Sequence, residues 1–385
     1  MEVLSYPAAR ELLLRRVGPV ETECVPLDAC LGRVLAEDLT AAENVPAFDR
    51  SPYDGYAFRA EDLAGATPTV PVTPGTCAKI LTGAPIPEGA DTVLNYELTE
   101  FSATAVRFFA PVERGSNIVR AGEDVRAGAV LLRRGAEIDP GAVGTLAAQG
   151  VVRPLVYRTP RVAVLSTGSE LVEADAVPAP GKIRNSNAHT LSAALRRLGA
   201  EPVYLGIAPD SAEGIAALLA QGLRHCDAVI ATGGVSVGDY DLTPDAIARV
   251  GAEMLFRGVD LKPGMACAYA VRDGKPIFGL SGNPASCLTN FYLLSLPALR
   301  AMRGCARQVP EELILTLSDA FPKPRRGTRI LRGRLDLRDG TAYLRLTGEQ
   351  GNAVLSSAIG CDALAIVPAG SGPLAPGTKL KGFLL

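Results

Sequence analysis

The sequence predicts a multidomain α/β protein, with a doubly wound α/β domain in its second half and β-rich segments before and after it. Three observations carry this. Between residues 161 and 302, strand-length apolar runs alternate with helical stretches of about 12 residues, the pattern of a parallel sheet covered on both faces. From 40 to 128 the apolar pieces are short and split by Pro and Gly, and no helical period survives. After residue 305 the helices stop and strand alternation resumes around an Asp-Gly turn. A chain of 385 residues should hold two or more domains, and 48% hydrophobic residues supply apolar surface for several cores.

In order, residues 6–17 read as a helix: Ser5 caps it, Pro7 sits in its first turn, and Leu12, Leu13 and Val17 form its apolar stripe. Residues 34–39 read as a strand. Asp139-Pro140 opens a short helix with Val143, Leu146 and Ala147 on its apolar face. Residues 161–166 (RVAVLS) are a strand, and Asn187 is expected to cap a helix ending at Leu198. Residues 202–207 form the next strand, and Asp210 is expected to cap the helix that ends at Arg224. The strand from 227, a helix opened by Thr243-Pro244, a hairpin turned at Asp273-Gly274 and a long helix from 283 to about 302 complete the α/β region. The hairpin RILRGRLDLRDGTAYLRLT and strands at 363–367 and 379–385 form a small terminal β domain.

Composition excludes several classes. No window has the ~18 uninterrupted apolar residues of a membrane helix; the longest candidate, 287–299, is broken by Thr289, Asn290, Ser295 and Pro297. The start lacks a basic-then-apolar export signal, so a cytoplasmic location is expected. Eight Cys without a C-x-x-C pair and only two His argue against zinc and for reduced thiols. A net charge of −2 argues against general nucleic-acid binding.

Chemistry concentrates at the ends of predicted strands. Residues 227–241, DAVIATGGVSVGDYD, run from an apolar strand into a loop with Ser236, Asp239 and Asp241. Ligands of α/β sheets sit at such carboxyl ends. Gly233, Gly234 and Gly238 let backbone N–H groups turn toward an anion, and the acids suit a cation that neutralises it; a plain strand-to-helix turn is the other reading. Two more loops join it, 166–170 (STGSE) and 281–286 (SGNPAS). The second begins the long helix, whose free N–H groups would face an anion, although Asn-Pro there is also ordinary capping. Lys262, before a Pro-Gly turn, is either a solvated turn lysine or a point charge at a pocket rim. Arg332 and Arg334 alternate on one strand face and read as solvated, with ligand contact the alternative. In the β-rich segment Asp54 sits in a tight turn among aromatics, and 81–85 (LTGAP) and 120–124 (RAGED) are two further turns. Singly, each reads as an Asx or Ser/Thr turn.

The order of these pieces is more specific than any one of them. S-x-x-D-G-Y-A, T-G-A-P-x-P-x-G-A-D, R-x-G-E-D, S-T-G-x-E-L, S-N, G-G-V-S-V-G-x-x-D, K-P-G and G-N-P-x-S follow one another along the chain. In this it resembles the MoeA/gephyrin E-domain family, the molybdopterin molybdenumtransferases, over about residues 5–385. The resemblance implies four parts: an elongated dimerisation domain (1–40 and 129–158), an inserted β-rich domain (41–128), a doubly wound molybdopterin-binding α/β domain (159–305) and a C-terminal β-barrel (306–385). It implies a homodimer with a composite active site. The functional acids would be Asp54, Asp124, Glu170 and Asp241, beside Thr82. The pterin-phosphate cradle would fall on Thr167, Gly168, Gly233, Gly234, Ser236, Gly238, Gly282, Asn283, Pro284 and Ser286, with anion contacts from Lys262 and Arg332. The implied substrates are adenylylated molybdopterin and molybdate, with AMP released and Mg²⁺ held by Asp241 and Glu170. A molybdopterin-adenylating protein and molybdoenzyme apo-proteins are the implied partners. A paralogue that carries or senses molybdopterin without inserting metal is the alternative.

This chain departs from the family pattern at several positions. Where the family reads K-P-G-K-P, the second lysine is Met265 here. Ser281 replaces the proline of L-P-G-N-P, Ser169 the aspartate of S-T-G-D-E-L, and Asn352 stands where relatives place a serine near the oxyanion. Losing that lysine removes a charge-assisted contact that a thioether does not replace.

Overall fold

The computed structural model describes residues 3–63, 70–72, 77–103, 105–236, 242–324 and 326–385. Its centre is a six-stranded sheet, whose elements are labelled here in chain order. They are β1 (Arg161–Thr167), α1 (Ser186–Leu198), β2 (Glu201–Ala208), α2 (Ala212–His225), β3 (Ala228–Thr232), α3 (Thr243–Arg249), β4 (Glu253–Arg257), β5 (Cys267–Arg272) and β6 (Lys275–Leu280). The strand order is β2-β1-β3-β6-β5-β4. β2, β1, β3 and β6 run parallel, and the β5–β6 hairpin adds an antiparallel edge. Asp273 and Gly274 turn that hairpin with φ of 50° and 76°, the left-handed pair that a two-residue turn requires.

Alternation along each strand feeds two cores. Val162, Val164, Ala228 and Ile230 pack with Leu191 and Leu195 of α1 and with Leu13 of the N-terminal helix (Tyr6–Leu14). Ala163, Leu165, Val229 and Ala231 face the other way, onto Ile215 and Leu219 of α2 and Ile247 of α3. A strand buried on both faces reads as a continuous apolar run, as β3 does in the sequence.

Several local expectations change. Asn185, not Asn187, caps α1, its Oδ1 accepting from the Ala188 amide at 3.4 Å. Ser211, not Asp210, caps α2, its Oγ accepting from Gly214 at 3.0 Å. In each case the helix starts near the expected place, and the neighbouring short polar side chain is the one in reach. The helix of Pro140–Ala148 buries Ala142 and Leu146, one turn apart, while Ala147 is exposed. Residues 34–39 are not a continuous strand: Val34 bridges Glu137 and Leu35 bridges Val156, and regular pairing is limited to Leu39–Thr40. Successive residues meet different neighbours there, so no single ladder extends. The long helix consists of α4 (Pro284–Asn290), a π-helical turn (Phe291–Ser295) and α5 (Leu296–Met302).

The 41–128 region carries two three-stranded antiparallel sheets, one centred on Gly55–Phe58 and one on Val106–Phe108. At the C-terminus β7 (Glu312–Leu317), β8 (Arg329–Arg338), β9 (Thr341–Leu346), β10 (Ala363–Val367) and β11 (Lys379–Leu384) close into a barrel in the order β7-β9-β8-β10-β11. Its interior is filled by Leu315, Leu317, Leu331, Leu344 and Ala365. Among the described residues no helix is long and apolar enough to cross a membrane.

Candidate functional site: two adjoining clefts at the strand ends

β1, β3 and β6 are parallel neighbours, so the three sequence-predicted loops emerge side by side at their carboxyl ends. They bound a cleft of about 800 Å³ whose wall includes Thr167, Gly168, Glu170, Gly233, Gly234, Ser236, Gly282, Asn283 and Pro284. A second cleft of about 590 Å³ shares Val235, Ser236, Ala266, Ser281 and Asn283 with the first, and adds Lys262, Met265, Ser286, Asn352 and Arg257. Most of the residues expected to form the cradle and its anion contacts thus meet in two clefts with a common wall. Gly238 and Asp241 lie outside the described residues.

The floor of the first cleft is a relay of buried hydroxyls. Thr232 Oγ1 donates to Ser166 Oγ at 3.0 Å, Ser166 Oγ to Asn185 Oδ1 at 3.0 Å, and Thr167 Oγ1 to the Thr232 carbonyl at 3.2 Å. Asn185 in turn donates to the Tyr204 hydroxyl at 2.9 Å, which Glu173 also engages. Burial, with Glu173 alongside, pushes the Tyr204 phenol up to about 12, so it stays a neutral donor. Gly233 has φ +98°, and a Cβ there would stand 2.6 Å from the Thr167 carbonyl oxygen; only glycine fits. Gly168 also has a left-handed backbone, at φ +133°, with the movable Glu170 carboxylate packed over it.

Two expectations about donors are corrected. The Gly233 amide does not face a ligand: it donates to the Leu280 carbonyl at 2.9 Å and continues the β3–β6 pairing. Nor is the start of α4 open, because the Ala285 and Ser286 amides both donate to the Asn352 carbonyl, at 3.0 and 3.3 Å. The Asn283 amide donates to Ser281 Oγ at 3.2 Å. An orphan helix end is satisfied by whichever acceptor reaches it, and here a barrel loop does so. The amides of Gly234, Val235, Ser236 and Gly282 have no acceptor among the described residues, so they are among the backbone donors left for a ligand.

In the second cleft, Lys262 is exposed and forms no ion pair among the described residues, and Met265 beside it is 52% exposed. Arg257 is a cation that reading the sequence passed over; it lines this cleft and its Nη2 points to the Ser236 carbonyl at 3.5 Å. Its position at the end of β4, on the antiparallel edge, gives no local motif to notice. Asn187 was also missed as a site residue: its Nδ2 donates to the Gly282 carbonyl at 2.8 Å and ties α1 to the third loop.

Arg332 is not solvated. It is 2% exposed, whereas Arg334 on the next turn of the strand pleat is exposed. It lines a separate cavity of about 380 Å³ with Arg197 and Tyr292.

Asp54, Thr82 and Asp124 line neither cleft. They belong to three exposed turns joined at one end of the 41–128 region. Asp54 Oδ1 accepts from the Thr82 amide at 2.6 Å and from its hydroxyl at 2.9 Å, and these bonds hold the Asp54 carboxyl below its ordinary value. Gly83 donates to the Ser51 carbonyl, Arg50 to Val119, and Ala121 to Asp49 Oδ1. Phe48, Tyr53 and Leu81 stand exposed around them. No group of three His, Cys, Asp or Glu among the described residues is arranged to hold a metal ion.

Comparison with known proteins agrees over the whole chain. Residues 4–150 match the MoeA N-terminal region (domains I and II), 163–301 the probable molybdopterin binding domain, and 315–384 the MoeA C-terminal region (domain IV). A molybdopterin molybdenumtransferase of Bacillus subtilis (strain 168) is 36% identical over 389 residues, covering 95% of this chain and 90% of that protein. One from Staphylococcus aureus (strain Mu50) is 35% identical, covering 90% and 87%. The crystal structure of the molybdopterin biosynthesis moeA protein from Pyrococcus horikoshii OT3 superimposes with a TM-score of 0.85 at 29% identity, over 100% of both chains. The chain belongs to the MoeA family, the molybdopterin molybdenumtransferases.

Proposed function

We propose that this protein inserts molybdenum from molybdate into adenylylated molybdopterin and releases AMP. One observation carries the reading: two clefts with a shared wall, one rich in amides and hydroxyls, the other bearing Lys262 and Arg257 with no carboxylate among its described lining residues. The first suits a pterin and its phosphate, held by Gly234, Ser236 and Gly282 amides, which stabilise charge without reorganising. The second suits the oxyanion. Arg257 and Lys262 flank Met265 there, so Arg257 supplies a charge that the Met265 position lacks.

Glu170 on the first cleft wall, with Asp241, is the proposed Mg²⁺ pair. Magnesium needs only one or two carboxylates when substrate phosphates complete its shell, and Glu170 lines the first cleft. Bound there, it would neutralise phosphate charge. Asp54, Thr82 and Asp124 serve the partner's cleft in a homodimer; their exposure, away from either cleft of their own chain, supports this. We divide the chain as 1–40 with 129–158, 41–128, 159–305 and 306–385, and infer a cytoplasmic protein that receives its substrate from a molybdopterin-adenylating protein and passes its product to molybdoenzyme apo-proteins.

Incubating the protein with adenylylated molybdopterin, Mg²⁺ and molybdate tests the reading, with AMP release and molybdenum bound to the dithiolene as the expected result. Binding without AMP release would point to a carrier instead, a role that the transferase names of its relatives do not favour.

A further inference from the structure

Arg332 is buried in the barrel, and among the described residues no carboxylate is a hydrogen-bond partner of its side chain. Desolvating a guanidinium costs several kcal/mol unless its donors are used. Arg332 Nε donates to Ser357 Oγ at 2.8 Å, and Nη2 to the Gly351 carbonyl at 3.2 Å. Its backbone is clasped as well: its amide donates to Gln350 Oε1 at 2.8 Å, and its carbonyl accepts from Gln350 Nε2 at 3.1 Å and Thr347 Oγ1 at 3.2 Å. Ser357 Oγ passes the connection on to the Val354 carbonyl at 2.6 Å. Every one of these partners lies in the 347–358 loop between β9 and β10. Nη1 has no hydrogen-bond partner among the described residues.

The same loop reaches the clefts. The Asn352 carbonyl takes the Ala285 and Ser286 amides at the start of α4, Ala353 lines the first cleft and Asn352 lines the second. We propose that Arg332 is a positioning residue: it sets the 347–358 loop so that Asn352 caps α4, and through that cap the barrel fixes the wall common to both clefts. On this reading Arg332 acts through the loop's shape and not as a direct ligand of the anion. Charge alone does not suffice for that role, because a lysine has no planar fork to reach Ser357 and Gly351 together.

Amide hydrogen exchange and turnover, measured on Arg332→Met, Arg332→Lys and Ser357→Ala, test it. Exchange at Ala285 and Ser286 is expected to rise about tenfold or more in both arginine variants, the effect of losing a buried hydrogen bond, with a smaller rise in Ser357→Ala. AMP-release kcat/KM should fall in the same order. Wild-type exchange at both amides in all three variants overturns the proposal. So does an Arg332→Lys protein with normal exchange and activity beside an inactive Arg332→Met, which would make the charge itself the requirement. Ser357→Ala removes a single hydroxyl, so it keeps the test available if an arginine variant does not fold. The kinetic arm rests on the molybdenum-insertion reading. Failure of that reading would show as absent AMP release in the wild type, and the exchange arm would still decide this one.

Discussion

The strand-end clefts and the acid turns of the 41–128 region carry the same kinds of residue, yet the fold treats them differently. Glu170, Gly233 and Gly282 come from segments up to about a hundred residues apart, brought together by three parallel strands that end at one level, and Lys262 is set beside them by its pairing with the barrel strand at Arg329. Asp54 and Thr82 are held by bonds to each other at an exposed tip, and neither strand-end cleft is lined by them. The lining of the strand-end clefts comes from a sheet and loops of one chain. A polar turn on an exposed tip acquires a substrate only through another surface.

The strongest way to break this comparison is subunit mixing. Asp54→Ala and Asp241→Ala proteins should each lose AMP release almost entirely, while heterodimers regain part of it, because one cleft then combines an intact tip with intact strand-end loops. Subunit exchange without any recovery would return Asp54 to a site within its own chain. Asp241→Asn should retain pterin binding and lose turnover; normal turnover would remove that acid from the mechanism.

A second effect concerns the cleft floor. Gly233→Ala forces a Cβ to within 2.6 Å of the Thr167 carbonyl oxygen at φ +98°, which should destabilise the fold by roughly 2–4 kcal/mol. Urea unfolding measures it, and a loss under about 0.5 kcal/mol would mean that the loop relaxes freely.

The third effect separates the cations of the second cleft. Arg257→Gln should weaken molybdate binding by about tenfold to a hundredfold and leave pterin affinity nearly unchanged, and Met265→Lys should strengthen it by a comparable factor. Titration calorimetry with molybdate reads both. An Arg257→Gln protein with unaltered molybdate affinity would leave Lys262 as the cation that matters.

The smallest effect is at the Asp54 turn. Its carboxyl is lowered first by the Thr82 amide and then by the Thr82 hydroxyl, so the ionised form is favoured in the folded protein. The stability this contributes is present above the unfolded value near 3.8 and is lost as pH falls through the lower folded value. Thr82→Val should move the Asp54 titration partway back upward, since the amide bond survives; carbon NMR of the carboxylate follows it. An unmoved titration would assign the whole shift to the backbone.

Much of this could be read along the chain because period and turn chemistry are local. The alternating apolar runs gave β1, β3 and β6, Asp273-Gly274 gave the hairpin, and the glycine loop after β3 pointed to the cleft that the strand ends form. Resemblance in motif order then named the family. Caps at Asn185 and Ser211 escaped by one or two residues, since adjacent short polar side chains compete for the same amides. Three features had no local signature: the Gly233 amide given to Leu280, the α4 start capped by Asn352 from the barrel, and Arg257 at the rim of the second cleft. Residues far apart in the chain supply each of these. The burial of Arg332 is of the same kind. A pleat of alternating residues predicts that Arg332 and Arg334 share a face, but only the closed barrel and the loop packed over it decide which arginine meets water. Sequence by itself determined the strands of the central sheet, the Asp273-Gly274 turn and the family; the sheet and barrel decided which donors remain for a ligand, because a hydrogen bond belongs to whichever partner the tertiary fold brings within reach.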